Sequence, residues 1–219
     1  MLIHPSEALR LWDSVVTVGA FDGVHRGHQA LIRRAVDRAV RFGVPSVAYT
    51  FDPPPKAVFG GAPVLTARPE KTRRLKALGL DHAVVATFDA AYAARNAEDF
   101  LEELADLKPV EVWVGPDFRF GRGQAGDVKM LARRFAVRSL EPVQCLKGRD
   151  ISSTRVRDLM KRGALSEARS LLGWNAGGWS AEQSLLGWYP GCEDETPLLS
   201  YSSSYRFSEL QPKELSYIW

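Results

Sequence analysis

Cysteine is almost absent: two residues in 219, Cys145 and Cys192, stand far apart with neither the spacing of a metal site nor a disulfide framework. Long apolar runs are missing too. The strongest, residues 14–21 and 83–88, fall far short of the roughly 20 residues that span a bilayer, which predicts no membrane helix. The first residues, Met1-Leu2-Ile3-His4-Pro5, lack the basic and apolar regions of a secretory signal. A reducing cytoplasm is the expected location, with no membrane partner. The exit of the first predicted strand, residues 19–28, carries neither a Gly-x-Gly-x-x-Gly dinucleotide fingerprint nor a Gly-x-x-x-x-Gly-Lys-Ser/Thr loop, which removes support for NAD enzymes and P-loop kinases. No repeat of solenoid period is found. With 45% hydrophobic, 25% charged and 10% aromatic residues, the chain sits near globular averages, far from disordered, collagen-like or rod-like sequence.

The net charge of +3 is unevenly spread. Residues 1–173 carry 27 Lys+Arg against 20 Asp+Glu, whereas residues 174–219 carry 2 against 6. The basic residues of the body, including Arg33, Arg34, Lys71, Arg73, Arg74 and Lys76, are dispersed along predicted helices and read as solvated faces. No nucleic-acid partner is expected; a modest positive bias suits small polyanions such as nucleotides.

Short β-rich runs alternate with amphipathic stretches, the pattern of a parallel sheet with helical crossovers. Strands are predicted over 14–20, 46–51, 83–88, 111–115 and 137–140, and helices over 26–42, 69–78, 97–107, 127–135, 153–162 and 166–172. From Trp174 the alternation stops: residues 174–219 hold four of the six tryptophans and eight serines. The organisation expected is an α/β domain over 1–173, followed by an irregular tail over 174–219 that is disordered or loosely docked.

The chemistry concentrates where the first strand runs into Gly19-Ala20-Phe21-Asp22-Gly23-Val24-His25-Arg26-Gly27-His28 and a long helix begins. Such a loop lies at the carboxyl end of the sheet, where open α/β sheets bind ligands. Its glycines admit a close backbone approach, and the helix N-terminus offers free N–H groups to a phosphate. His25 and His28, three apart at a helix start, can face one side and reach one phosphate. Taken singly, each histidine reads as a surface or capping residue. Metal binding is the weaker alternative, since no third ligand lies at ligand spacing nearby.

His25-Arg26-Gly27-His28 resembles the His-x-Gly-His motif of the nucleotidyltransferase superfamily, and Gly19-x-Phe21-Asp22-Gly23-Val24-His25-x-Gly27-His28-Gln29 is similar to its flavin branch. That branch is the FMN adenylyltransferase (FAD synthetase) module of the bacterial bifunctional riboflavin kinase/FAD synthetase family. Thr50-Phe51-Asp52-Pro53, Gly115-x-Asp117-Phe118-x-Phe120-Gly121 and Ile151-Ser152-Ser153-Thr154-x-x-Arg157 match the same family in order, so the resemblance covers about residues 8–173. It implies a Rossmann-like nucleotidyltransferase fold and transfer of AMP from ATP to FMN, giving FAD and pyrophosphate, with Mg²⁺ screening the polyphosphate. His25 and His28 become the catalytic pair. Gly19, Phe21, Gly23, Gly27, Ser153, Thr154 and Arg157 are implied on the ATP and phosphate side, and Asp52, Asp117 and Phe118 on the flavin side.

Two departures bear on this. The family often has His or Gln where this chain has Pro54, and Arg where it has Gln124. After Gly173 the Pro-Thr-Ala-Asn motif of the riboflavin kinase barrel is not found, so kinase activity is not expected. The other readings are nucleotidyl transfer to a different phosphorylated small molecule and an inactive remnant that binds flavin or nucleotide. The residues themselves leave alternatives open: Phe118 and Phe120 suit core packing as well as a ring wall, and Asp52 suits a turn cap. Arg155 and Arg157 place positive charge at the start of a helix, where the macrodipole disfavours cations and a bound anion relieves the conflict. Ser153 and Thr154 are the caps expected for that helix.

Overall fold

The computed structural model describes residues 1–174. Six strands form one sheet: β1 (Leu2–His4), β2 (Ser14–Val18), β3 (Ser46–Asp52), β4 (His82–Thr87), β5 (Pro109–Val114) and, at the far edge, β8 (Val137–Ser139). Their order is β1-β4-β3-β2-β5-β8, and every neighbouring pair is parallel. A parallel sheet flanked by helices is the architecture the alternating pattern called for, and its Rossmann-like form is the one the family resemblance implied. β1 was not foreseen, because three residues paired through their backbone to β4, with Leu2 and Ile3 exposed, carry no periodicity to detect.

Burial on both faces explains the apolar strand runs. Val16, Val18, Val47 and Tyr49 point into one cluster with Phe100, Leu101 and Leu104 of α5 (Ala97–Ala105). The alternate residues, Val15 and Ala48, meet α1 (Arg26–Phe42) and α3 (Arg68–Ala77) on the opposite face. On α1 the buried Leu31, Ile32, Ala35 and Ala39 make one stripe, and Gly43, left-handed at φ 67°, ends the helix. Each such Leu or Ile contributes about 1.5–3 kcal/mol by leaving water.

After β3 the chain is extended at Pro54, and Pro55 opens a short helix, α2 (Pro55–Gly60), in the first turn, where a missing N–H costs nothing. Another short helix, α4 (Ala90–Ala93), follows β4. A two-stranded antiparallel pair, β6 (Arg119–Phe120) and β7 (Gly126–Asp127), precedes α6 (Val128–Ala132). The last elements, α7 (Ser153–Lys161) and α8 (Leu165–Leu172), pack on each other through Val156, Leu159, Met160, Ala168 and Leu171. From residue 175 onward, the expected tail lies outside the described residues.

Candidate active site

The order in which successive strands are added reverses at β2, which pairs with β3 on one side and β5 on the other. Loops leaving the carboxyl ends of strands around such a switch point diverge and open a crevice. Here it is a cleft of about 390 Å³, with walls from the β2 exit (Gly19, Phe21), the β3 exit (Pro54, Lys56), the β5 exit (Gly115, Asp117, Phe118) and the start of α7.

The β2 exit is held from below by buried charges. Asp22 accepts from Leu65 N (2.9 Å) and Thr66 N (3.2 Å), and its other carboxylate oxygen accepts from Arg157 of α7. Burial pushes the Asp22 pKa up, while Arg157, Lys71 and the two backbone N–H groups pull it down. Gly23, at φ 81°, donates its N–H to the Thr66 hydroxyl, and its carbonyl accepts from Arg74. Phe21 and Val24 also sit in the left-handed region, at φ 46° and 41°. Such conformations cost about 1–3 kcal/mol each and persist where surrounding bonds enforce them.

Lys71 and Arg74 are thus not the solvated residues expected of α3. Lys71 is 0% exposed and donates to Phe51 O (2.6 Å), within 4.0 Å of Asp52, whereas Arg74 bonds Glu70 and the Gly23 carbonyl. A helix so rich in charge gives no sign of which side chains turn inward. These do so because the strand and loop ends beneath them present carbonyls that need donors.

His25 caps α1: its Nδ1 accepts from His28 N (3.3 Å), which puts the proton of the neutral ring on Nε2. The two imidazoles stack, with centroids 3.6 Å apart and planes 18° from parallel, and Phe21 meets the His28 ring edge-on. Burial lowers the His25 pKa to about 4, with Arg157 adding to the effect, and burial with His25 and Lys71 lowers that of His28 well below its usual value. Both rings are therefore neutral at pH 7. His28 Nδ1 is buried and has no hydrogen-bond partner. Gly27 makes the close approach possible: a Cβ there would lie 3.2 Å from the His25 ring and 3.3 Å from the Ile151 carbonyl.

Of the residues singled out in the sequence, Gly19, Phe21, His25, His28, Asp117, Phe118, Ser153, Thr154 and Arg157 line the cleft. Gly23 and Gly27 lie behind its wall, and Asp52 ends β3 beside Lys71. Ser152, one residue before the expected caps, takes the N-cap role on α7, and Ser153 instead donates to the Asp22 carbonyl (2.9 Å). The helix-start cations are answered from within. Arg157 is taken by Asp22 and the Pro63 carbonyl. Arg155 is taken by Glu167 (2.9 Å), by the Arg149 and Asp150 carbonyls and by Cys145 Sγ, whose pKa it lowers to about 7. Carboxylates distant in sequence supply this, and no local pattern announces them.

Two further features carry no sequence signal. Gln29 of α1 donates to the Val24 and Leu172 carbonyls, and Trp174 Nε1 donates to Val24 O (2.9 Å) while its ring lies under Arg74. The chain leaving α8 is thereby stapled to the histidine loop. Beyond Pro55, a second, narrow hollow of about 40 Å³ is walled by Phe51, Phe88, Tyr92, Phe100 and Phe120, with Arg95 and Arg119 at hand. Phe118 and Phe120 stack between the two spaces, with centroids 5.6 Å apart. Lastly, among the described residues no cluster of three or more His, Cys, Asp or Glu could hold a metal ion, and no helix is long and apolar enough to cross a membrane.

Residues 9–155 match the family model for FAD synthetase. A protein of Geobacillus thermodenitrificans, provisionally named a bifunctional riboflavin kinase/FMN adenylyltransferase, is 53% identical over 175 residues, which are 80% of this chain and 98% of that protein. The Escherichia coli K12 bifunctional riboflavin kinase/FMN adenylyltransferase is 37% identical over 169 residues, 73% of this chain and 54% of its own, so this chain spans about half of that relative. A Listeria monocytogenes FAD synthetase is 33% identical, over 73% of this chain and 68% of that one. Among solved structures, one described as a macrolide-efflux protein from Streptococcus pneumoniae superposes with a TM-score of 0.70 at 30% identity, covering 78% of this chain and 61% of that one.

Proposed function

The chain belongs to the FAD synthetase family, and we propose on that premise that it transfers AMP from ATP to FMN, giving FAD and pyrophosphate. The observation that carries the reading is the stacked, neutral His25–His28 pair at the N-terminus of α1, with His28 Nδ1 buried and unpartnered beside an open cleft. A buried polar atom without a partner is costly unless a ligand completes it. A phosphate oxygen at a helix N-terminus meets that need.

The second phosphate ionisation of FMN lies near pH 6, so the attacking oxygen is already anionic at neutral pH and no general base is required. The remaining work is positioning and charge stabilisation. A phosphate oxygen forms a bond to the α-phosphorus of ATP, and the bond to the β-phosphate oxygen breaks, its electron pair leaving with pyrophosphate. As charge moves toward the leaving group, His25 and His28 donate to the α-phosphate oxygens. The polyanion favours protonated rings, so nucleotide entry reverses the pKa depression that burial imposes.

We assign the isoalloxazine ring to the β5-exit side of the cleft, with Phe118 as an apolar wall and Asp117 as a polar contact; Asp52, beside Lys71, holds the β3 exit. Thr154 and Ser153 bound the polyphosphate end. With no cluster of three carboxylates, His or Cys among the described residues, Mg²⁺ is proposed to arrive as the counter-ion of ATP, where it screens the triphosphate. The reaction is assigned to the described body of the chain, which suits a reducing cytoplasm through its free Cys145 thiol. The test offers ATP and Mg²⁺ with FMN, riboflavin, nicotinamide mononucleotide or phosphopantetheine, and products are separated by chromatography. FAD from FMN alone is the expected result. Turnover with another acceptor, but not with FMN, contradicts the assignment.

A further inference from the structure

The cationic side chains of the cleft differ in how much charge they have left to offer a ligand. Two cationic side chains, Lys56 and Arg157, line it. Arg157 is 5% exposed and neutralised by Asp22, so it has little charge left to offer. Its neighbour Arg155 is engaged by Glu167. Lys56 differs from both. It is solvent-exposed, no carboxylate lies within ion-pair distance of it among the described residues, and its ammonium donates to the Thr154 hydroxyl at 3.3 Å. That contact reaches from the β3 exit to the first turn of α7, across the cleft that His25 and His28 face.

Local structure explains the reach. Pro54 and Pro55 fix the backbone just before Lys56 and set it in the first turn of α2, so the root of the side chain is held while its four-carbon stem stays free. An ammonium has three donors and the hydroxyl occupies one. Its partner is neutral, so an arriving polyphosphate gains a full charge interaction and breaks no ion pair. Phosphate oxygens are stronger acceptors than a hydroxyl, and Thr154 keeps its own O–H to donate beside the lysine.

We propose that Lys56 is a catalytic residue that binds the β- and γ-phosphates of ATP and neutralises the departing pyrophosphate, an assignment that rests on the adenylyl-transfer reading. When the bond between the α-phosphorus and its bridging oxygen breaks, the electron pair stays on pyrophosphate. Lys56 keeps its proton and supplies the counter-charge. Pro54 offers no side-chain donor at this exit, and Lys56, two residues on, supplies a cationic one.

The experiment compares full-length wild type, Lys56→Met and Lys56→Arg in steady-state FAD synthesis, and in calorimetric binding of ATP, AMP and pyrophosphate. Lys56→Met is expected to raise the KM for ATP about tenfold or more, the scale of losing a charge-assisted hydrogen bond, and to weaken pyrophosphate binding by a similar factor. The KM for FMN and the affinity for AMP, which lacks the β- and γ-phosphates, stay within about twofold, and Lys56→Arg recovers most of the loss. An unchanged response to ATP and pyrophosphate overturns the proposal, as does an equal loss for AMP or FMN. If the wild type makes no FAD, the adenylyl-transfer reading falls, and the ATP, AMP and pyrophosphate affinities still decide whether Lys56 holds the terminal phosphates.

Discussion

Arg157 in α7 donates to the carboxylate of Asp22, 135 residues earlier in the loop that carries His25, and neither side chain retains more than 6% of its exposure. The pair joins the α7–α8 unit to the strand exit beneath the histidines, and the Ser153 hydroxyl reinforces the link at the Asp22 carbonyl. A residue that the sequence offered as an open phosphate ligand is therefore first a buried structural cation. Removing one member of such a pair strands the other charge out of water.

Arg157→Met is expected to lower stability by about 3–5 kcal/mol, the usual cost of breaking a buried ion pair from one side. The double variant Asp22→Asn/Arg157→Met should recover part of that loss. Denaturant unfolding of the four proteins closes the cycle. A single variant as stable as the parent contradicts the pairing.

His28→Ala should reduce kcat for FAD synthesis by about 10² or more, the scale of losing one transition-state donor. The buried Nδ1 without a partner disappears with the ring, so stability changes little in comparison. The check is kcat beside thermal unfolding of the same preparation. A near-normal kcat removes His28 from the chemistry.

Burial of the histidine pair makes the protein acid-sensitive. Burial holds His25 near pKa 4 against 6.5 unfolded, so between these values the unfolded chain binds more protons and stability falls as pH falls. At roughly 1.4 kcal/mol per unit, the His25 share is about 3 kcal/mol, complete above pH 6.5 and lost below pH 4. His28 shifts in the same direction. Unfolding free energies at pH 7, 5.5 and 4 for the parent and for His25→Asn check this: the variant should show the shallower slope. Saturating ATP should flatten the slope in the parent, because a bound polyanion favours the charged rings. Parallel slopes in the two proteins contradict the assignment to His25.

Trp174 closes the described chain against the histidine loop through its bond to Val24 O and its stack with Arg74. Trp174→Ala should cost about 1–2 kcal/mol, from one hydrogen bond and one cation–π contact. It should also raise amide exchange at residues 19–25 above the rest of the sheet. Exchange unchanged in that loop contradicts the coupling.

How much of this was legible depends on distance along the chain. The helix over 26–42 carries its own apolar stripe and glycine stop, and the histidine pair is an i, i+3 relation, so both were written locally. The strand exits were likewise visible as apolar runs ending in Gly or Pro. What escaped were long-range bonds: Arg157 to Asp22, Lys71 to Phe51 O and Lys56 to Thr154. In the sequence Lys56 and Lys71 look like any surface charge, and Arg157 looks like an open phosphate ligand. Their roles are set by which carbonyl or carboxylate the fold brings beside them, and three-residue β1 escaped for the same reason, since only its pairing to β4 defines it.

The central claim is that AMP passes from ATP to FMN. It is tested most directly with the full chain, Mg²⁺, FMN and ATP labelled either at the α-phosphorus or at the γ-phosphorus. The account predicts that the α label appears in FAD and the γ label in pyrophosphate, in equal amounts, with both signals lost in the double variant His25→Ala/His28→Ala. Release of γ label as inorganic phosphate without labelled FAD would contradict it.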